Sequence, residues 1–399
     1  MPSAPEAPLP RHLEPLDALR GVAVSLVFLQ HLGDRWLPAF EIAAARLPAP
    51  LAAVVIACVH HAHVGVDLFF VLSGFSLAYG ELLAAGKETS VLAFYKRRIL
   101  RIFPAYMVAT ALVVFTHPMR MKLLDTWQTL LGYLFVVQGY VELPSGFIGA
   151  SWSLTTEIHA YILFPFLFAS LAPSLRGRQE ISWRRGRRIA IPVLLTTCFL
   201  AWGLRLGALM YFARFGGKTW WLLELTQHRL VFVRLDQFAL GAAAAVIYAA
   251  KRDDWKPHAA LLLGAGIVSV ILGACVEEPG WGTLGYAGGY PLVSIGMAAI
   301  VLGATLRNRG AVPLARLGRA SYGFFLNHQW VLGLTTAAFG RIWWGFVTAT
   351  SVSSALLVGG SAFLFSYVAG ELSRRHVEER FLKRRNLPEQ FPQPPPTDR

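Results

Sequence analysis

Long apolar runs separated by short polar segments make up most of the chain. Such continuous runs are typical of membrane-spanning helices, whereas a transmembrane β-barrel shows short segments of alternating hydrophobicity. Eleven candidate runs lie at 16–33, 64–83, 99–117, 127–141, 152–172, 189–212, 230–250, 259–276, 286–306, 320–339 and 345–371. The pattern therefore predicts an all-α integral membrane protein.

The basic residues between the runs indicate which runs cross the bilayer, because cytoplasmic loops carry an excess of Lys and Arg. The basic segments lie at 84–98, 173–188, 251–258, 307–319 and 374–385. All five basic segments can lie on the same side of the membrane only if one of the eleven runs does not cross it. The run at 127–141 is the weakest, because it is short and interrupted by Trp, Gln and Tyr. We expect about ten transmembrane helices, one re-entrant or interfacial segment at 127–141, and both termini on the cytoplasmic side of the cell (inner) membrane.

Composition agrees with this fold class, since 55% of the 399 residues are hydrophobic and only 15% are charged. The formal charge of +14 comes from residues clustered in loops, so we expect contact with membrane lipids and none with nucleic acid. The three cysteines lie inside apolar runs without metal-ligand spacing, and we expect no metal. We divide the chain into a cytoplasmic tail at 1–13, a transmembrane domain at 14–385 and a disordered cytoplasmic tail at 386–399.

Ionisable residues at membrane depth are costly, so each is a candidate for function. Arg20 and His31 lie eleven residues apart in the first run. At ~100° and ~1.5 Å per residue they face nearly the same direction and lie roughly 16 Å apart. One interpretation is that Arg20 anchors the helix at the cytoplasmic interface and His31 caps its outer end. The other is that both residues line a polar path. Asp17, one turn before Arg20, is placed to pair with it.

Asp67 begins the second run, toward the same membrane face as His31. It is therefore a candidate to fix the tautomer of a histidine, His31 included. The nearby His60, His61 and His63 invite a metal interpretation. An exposed loop is favoured, because no further fixed ligands accompany them.

Two arginines, Arg98 and Arg101, lie three residues apart in "FYKRRILRIFPAY" and share a helix face. The forked guanidinium group suits phosphate oxygens, so the pair is a candidate phosphate clamp. The alternative is a cytoplasmic anchor, which is the interpretation favoured for Arg97.

Glu157 precedes a long apolar stretch in "SWSLTTEIHAYILFPF". Ser153, Glu157 and Tyr161 repeat every four residues and therefore share one helix face. A carboxylate there needs a cationic or polar partner from another helix. Trp152 and Ser153 are candidates for shaping an acceptor site.

Three later motifs also place polar groups near or inside runs. Arg234 and Asp236 lie in "RLDQFALG", where a structural ion pair and a catalytic role are equally open. Asn327 and His328 lie within a run, and Glu378 follows the last run among basic neighbours.

Together these motifs resemble the acyltransferase type 3 family, membrane O-acyltransferases that acylate cell-surface sugars, nodulation factors and some antibiotics. The resemblance covers about residues 14–382 as an ordered series. The motifs are "LDALRGVAV" with His31, "GVDLFFVLSGF", "FYKRRILRIFPAY", "WSLTTE", "RLDQFALG", "LGRASYGFFLNH" and "VEERF". The chain departs from the family pattern at Ile158, Asn327 and Arg380, where a second acidic residue, an aromatic residue and a proline are usual.

The resemblance implies ten core spans, an acyl-CoA donor, usually acetyl-CoA, and transfer to a hydroxyl group. We expect Arg20, Arg98 and Arg101 to bind the CoA, with His31 as general base at the reactive end of one polar path. Asp67 or Glu157 would orient His31 or offset a nearby cation. Candidate substrate contacts are Trp152, Ser153, Tyr161, Arg234, Asp236 and His328.

The expected acceptor is a saccharide or a lipid-linked or related cell-envelope molecule. The competing interpretation is a transporter, in which the same polar residues line a path and no covalent chemistry occurs.

Overall fold

The computed structural model describes residues 9–83, 91–116, 127–140, 150–166, 186–215, 229–276, 282–309, 311–342 and 347–384, which are helical and contain no strand. The helices are α1 (Glu14–Ala44), α2 (Ala49–His60), α3 (Val64–Leu83), α4 (Val91–Thr116), α5 (Trp127–Leu134), α6 (Ser151–Phe164), α7 (Ile191–Phe215), α8 (Val231–Trp255), α9 (Ala259–Val276), α10 (Gly282–Arg307), α11 (Val312–Arg319), α12 (Ser321–Ile342), α13 (Val352–Ser373) and α14 (Glu379–Arg384). Single π-helical turns lie at Gly186–Ala190 and Arg374–Glu378, and a 3₁₀ turn lies at Lys256–His258.

Seven helical segments in the described part are long and apolar enough to cross a bilayer. They are Glu14–Ala44, Val64–Leu83, Val91–Thr116, Arg188–Tyr211, Val231–Val276, Gly288–Arg307 and Val352–Phe381. The prediction of an all-α membrane protein is therefore confirmed. Val231–Val276 contains two predicted runs, because only a non-helical Lys251 and a 3₁₀ turn interrupt α8 and α9. The number ten stays a prediction, and the predicted tail at 386–399 lies outside the described residues.

The weak run at 127–141 contains only the eight-residue α5 and a chain of turns up to Tyr140. At ~1.5 Å per residue α5 is about 12 Å long, well short of the ~30 Å hydrocarbon layer. Protein covers the segment after it. Gln138 is buried, and the Gly139 amide donates to Thr155 Oγ1 at 3.2 Å. A short segment with its backbone hydrogen-bonded inside the protein fits the re-entrant or interfacial interpretation.

The region before α3 differs from the predicted pattern. The first run continues as α1 to Ala44, through a non-helical Trp36 and across Pro38. The additional apolar helix α2 has twelve residues and was not among the predicted runs. Its length, about 18 Å, is too short for a span, which is why a search for runs of ~20 residues passes over it.

Helices α3 and α8 cross in the interior with their backbones in close contact. A Cβ atom at Gly74 would overlap the carbonyl oxygen of Phe238, and one at Gly241 would overlap that of Val71. Small residues at a crossing allow helices to approach this closely. The crossing brings the polar residues at the start of both helices together.

Candidate active site

A cavity of about 100 Å³ lies between α1, α3, α4, α6 and α12. Its polar lining residues are Arg20, Ser73, Ser76, Arg98, Arg101, Ser153, Glu157, Tyr161, Ser321 and Tyr322. Six of the predicted site residues are therefore brought together, namely Arg20, Arg98, Arg101, Ser153, Glu157 and Tyr161.

Arg20 is held in place by two neighbours. Its Nη1 donates to Asp17 Oδ1 at 2.8 Å, one turn earlier on α1, as the spacing predicted. Its Nη2 donates to Ser76 Oγ of α3 at 2.7 Å. The guanidinium group is thus fixed at the cavity wall, with its charge partly offset by one carboxylate.

Arg98 and Arg101 reach the cavity from the same face of α4. The Arg98 guanidinium carbon lies 5.4 Å from the ring centre of Phe94 and 5.5 Å from that of Tyr161. Its Nε is buried and has no hydrogen-bond partner among the described residues. Arg101 is exposed. Neither arginine forms an ion pair with a carboxylate in the described part of the chain.

Glu157 faces the cavity from α6. Its Oε1 accepts a hydrogen bond from Ser73 Oγ at 2.6 Å and another from the Tyr161 hydroxyl, one turn later. Ser153, Glu157 and Tyr161 share one helix face, as their spacing predicted, and all three line the cavity.

Two of the three guanidinium groups, those of Arg98 and Arg101, have no carboxylate oxygen within 4.0 Å among the described residues, although the buried Glu378 lies near enough to Arg101 to interact with it electrostatically. Guanidinium groups without a directly bonded carboxylate suit an anionic ligand.

His31 does not line this cavity, although it was expected at the end of the same path. Its Nδ1 lies 3.1 Å from Asp34 Oδ2, and its Nε2 lies 2.8 Å from the amide nitrogen of Gln329. Its ring centre lies 5.2 Å from that of His328. The His31 side chain keeps 24% of its surface exposed.

Aromatic rings lie between the two groups of residues, and the one continuous polar path stays a prediction. Phe69 and Phe325 line the cavity, with ring centres 6.2 Å apart. The Phe325 ring lies 5.7 Å from His328, which is fully buried beside His31. The helix pattern placed Arg20 and His31 on one face but gave no information on rings contributed by α3 and α12.

Asp67 contacts Arg234 rather than His31. Arg234 Nη1 and Gln237 Nε2 each donate to Asp67 Oδ1 at 2.5 Å across the α3–α8 crossing, and all three residues are buried. Neither Asp67 nor Glu157 orients His31 in this structure. Asp67 instead offsets a cation, the other role that the sequence left open.

Arg234 and Asp236 do not pair with each other. Asp236 accepts hydrogen bonds from Trp202 Nε1 and Ser294 Oγ, both at 2.8 Å. Its Oδ1 lies 3.9 Å from a guanidinium nitrogen of Arg205. Arg205 was missed by the sequence analysis, although an arginine inside the apolar run 189–212 is itself the signal that would have identified it. These buried contacts join α7, α8 and α10, as expected of a structural network.

Two remaining candidates lie elsewhere. Trp152 is outside the cavity lining, with the guanidinium carbon of Arg229 5.9 Å from its ring centre. His60, His61 and His63 lie at the end of α2 and just beyond it. Within the described residues no group of three metal-binding side chains is assembled, and the expectation that the protein uses no metal stays a prediction.

A helical membrane protein with three arginines and a carboxylate lining one internal cavity has the features of a membrane enzyme. The chain belongs to the acyltransferase type 3 family, whose model, described as an acyltransferase domain, matches residues 14–371. It is therefore a multi-pass membrane acyltransferase.

Two relatives illustrate this membership. The chain is 28% identical over 361 residues to the acyltransferase MdmB of Streptomyces mycarofaciens, covering 83% of this chain and 84% of that protein. It is 24% identical over 351 residues to the O-acetyltransferase OatA of Staphylococcus aureus, covering 80% of this chain but only 50% of that protein. The chain thus spans about half the length of this staphylococcal relative. No solved structure matches the chain.

Proposed function

We propose that the protein transfers an acyl group from acyl-CoA to a hydroxyl group of a saccharide or related cell-envelope acceptor. The observation that carries the proposal is the convergence of Arg20, Arg98 and Arg101 on one cavity, where neither Arg98 nor Arg101 has a carboxylate oxygen within 4.0 Å among the described residues. Phosphate groups of CoA are anions that match such forked donors. The name of the relative OatA, an O-acetyltransferase, supports acetyl as the first group to test.

In the proposed reaction, His31 Nε2 removes the proton from the acceptor hydroxyl as its oxygen attacks the thioester carbonyl. The carbon–oxygen bond forms and the carbon–sulfur bond then breaks. The departing CoA sulfur takes the proton from His31, so the enzyme returns to its starting state with an ester and free CoA as products.

The donor has to pass the aromatic wall to reach this histidine. Phe325 lies against both the cavity and His328, and His328 lies against His31. We propose that the Phe69 and Phe325 rings move apart when the pantetheine arm enters from the arginine side. In the orientation that the basic loops favour, the arginines face the cytosol and both termini lie there.

The test compares surface glycans and CoA release with and without the protein. Cells carrying the wild-type protein should gain acylated glycans by mass spectrometry, and their membranes should release CoA thiol from acetyl-CoA. His31→Ala should abolish both while inserting normally, because the base is lost. His258→Ala, an exposed histidine on the 3₁₀ turn, is the matched control and should retain both. Full transfer by a well-inserted His31→Ala protein would refute the mechanism.

A further inference from the structure

A carboxylate that was not singled out from the sequence, that of Asp34, contacts His31. Asp34 follows His31 by three residues on α1, which places both on one face. Its Oδ2 lies 3.1 Å from His31 Nδ1, and its Oδ1 accepts a hydrogen bond from Gln30 Nε2 at 2.9 Å. Both carboxylate oxygens are therefore engaged, which restricts the orientation of the group.

The contacts of the imidazole assign its protons. An ionised carboxylate only accepts hydrogen bonds, so Nδ1 carries the proton that faces Asp34. In the neutral ring Nε2 is then the acceptor, and it receives the amide hydrogen of Gln329 at 2.8 Å. The His328 ring, 5.2 Å away, limits rotation of the imidazole. His31 is thus held with Nε2 as its basic nitrogen.

We infer that Asp34 is a positioning residue that keeps His31 in the Nδ1–H tautomer and stabilises the imidazolium formed when Nε2 takes the acceptor proton. This inference rests on the proposed function, in which His31 is the base. Within the described part of the chain, no other carboxylate lies within 4.0 Å of the His31 ring nitrogens. Gln329 and the acceptor hydroxyl compete for the same Nε2 lone pair, so the acceptor displaces the amide on binding.

The experiment compares Asp34→Asn and Asp34→Ala with Asp254→Asn. Asp254 is a matched control, because it also pairs with a basic residue three positions away, at 2.7 Å from Lys251 Nζ, and is similarly exposed. CoA release from acetyl-CoA is measured in membranes of the expression host. The kcat of both Asp34 variants should fall at least about tenfold, because the base is less well oriented. KM for acetyl-CoA should not change, because Asp34 does not line the arginine cavity proposed to bind the CoA.

A second measurement needs no acceptor. The full chain labelled with ¹⁵N-histidine is examined by NMR in detergent micelles, with the His31 signal identified by its loss in His31→Gln. The wild-type protein and Asp254→Asn should show the Nδ1–H tautomer, and Asp34→Ala should show a mixture or the Nε2–H form. A merely structural role for Asp34 would not change the tautomer.

The outcomes separate this inference from the proposed function. An unchanged tautomer in Asp34→Ala, or a wild-type kcat in both Asp34 variants while His31→Ala is inactive, would overturn the role of Asp34 alone. Full activity of His31→Ala would overturn the proposed mechanism and this inference with it.

Discussion

Adjacent arginines on α4 occupy different surroundings. Arg97 points to Glu81, at 3.8 Å, and is not part of the cavity lining. Arg98 lies between the rings of Phe94 and Tyr161 and lines the cavity. Stacking on ring faces leaves the N–H edge of a guanidinium available, which is the edge that binds phosphate. Arg98 therefore has the surroundings of a ligand-binding residue, and Arg97 those of an anchor.

Arg98→Ala should raise KM for acetyl-CoA by about ten- to a hundredfold, since a charge-assisted hydrogen bond contributes about 1.5–3 kcal/mol. Arg97→Ala, one residue away, should leave KM within about twofold, because Arg97 points to Glu81 and does not line the cavity. The measurement is the initial rate of CoA release at varied acetyl-CoA concentration. Equal KM values for the two variants would contradict a donor site at Arg98.

For individual residues, the sequence predicted contacts within a helix better than contacts between helices. The four-residue spacing correctly grouped Ser153, Glu157 and Tyr161, and the three-residue spacing grouped Arg98 with Arg101. The partner of Asp67 was not predictable, because periodicity defines the face of a helix and not the rotation of a neighbouring one. Asp34, by contrast, was within reach of a local search, since it lies one turn from His31.

The α3–α8 crossing shows how an element interface positions polar groups. Gly74 and Gly241 allow the backbones to touch, and this brings Asp67 of α3 against Arg234 and Gln237 of α8. A buried ion pair is tolerated when further hydrogen bonds satisfy its charges, as the Gln237 amide does here. The glycines and the ion pair therefore depend on the same helix separation.

Gly241→Ala should destabilise the protein by about 1–3 kcal/mol, because the added Cβ overlaps the Val71 carbonyl oxygen and forces the helices apart. The matched control is Gly80→Ala, since a Cβ at Gly80 of α3 meets nothing within 4 Å. Thermal unfolding of the detergent-purified proteins, followed by tryptophan fluorescence, measures the difference. A melting temperature for Gly241→Ala equal to that of Gly80→Ala would show that the crossing is looser than described.

Hydropathy predicted where the long helices lie but did not predict where each of them ends. The predicted runs at 64–83 and 259–276 coincide with α3 and α9 as the structure defines them. The run at 16–33 is only the first part of α1, since a helix can continue into polar sequence beyond the membrane. Hydropathy measures compatibility with lipid, whereas hydrogen bonding within the backbone determines where a helix ends.

For the whole molecule, the distribution of positive charge predicts orientation. The segment 251–258 comprises the last turn of α8 and the 3₁₀ turn before α9, and its charged side chains are half-buried or exposed. We expect a basic segment of this kind on the cytoplasmic side. The turn after α1, near Arg46, is also exposed and follows the first span, so it is expected on the opposite side.

Cysteine labelling should place these two segments on opposite sides of the membrane. In a background with Cys58, Cys198 and Cys275 replaced, Arg46→Cys should react with a membrane-impermeant maleimide in intact cells. Asp254→Cys should react only after permeabilisation. Labelling of both positions from the same side would refute the predicted topology.

The rings of Phe69 and Phe325 also have an electrical consequence. In the proposed orientation the arginine-lined cavity faces the cytosol, and His31 lies toward the opposite surface. A water column joining the two would conduct protons, and each elementary charge crossing the bilayer dissipates about 2.3 kcal/mol per 100 mV. Because two apolar rings stand where the polar lining of the cavity stops, the proposed transfer of acyl groups across the bilayer would leave it an insulator.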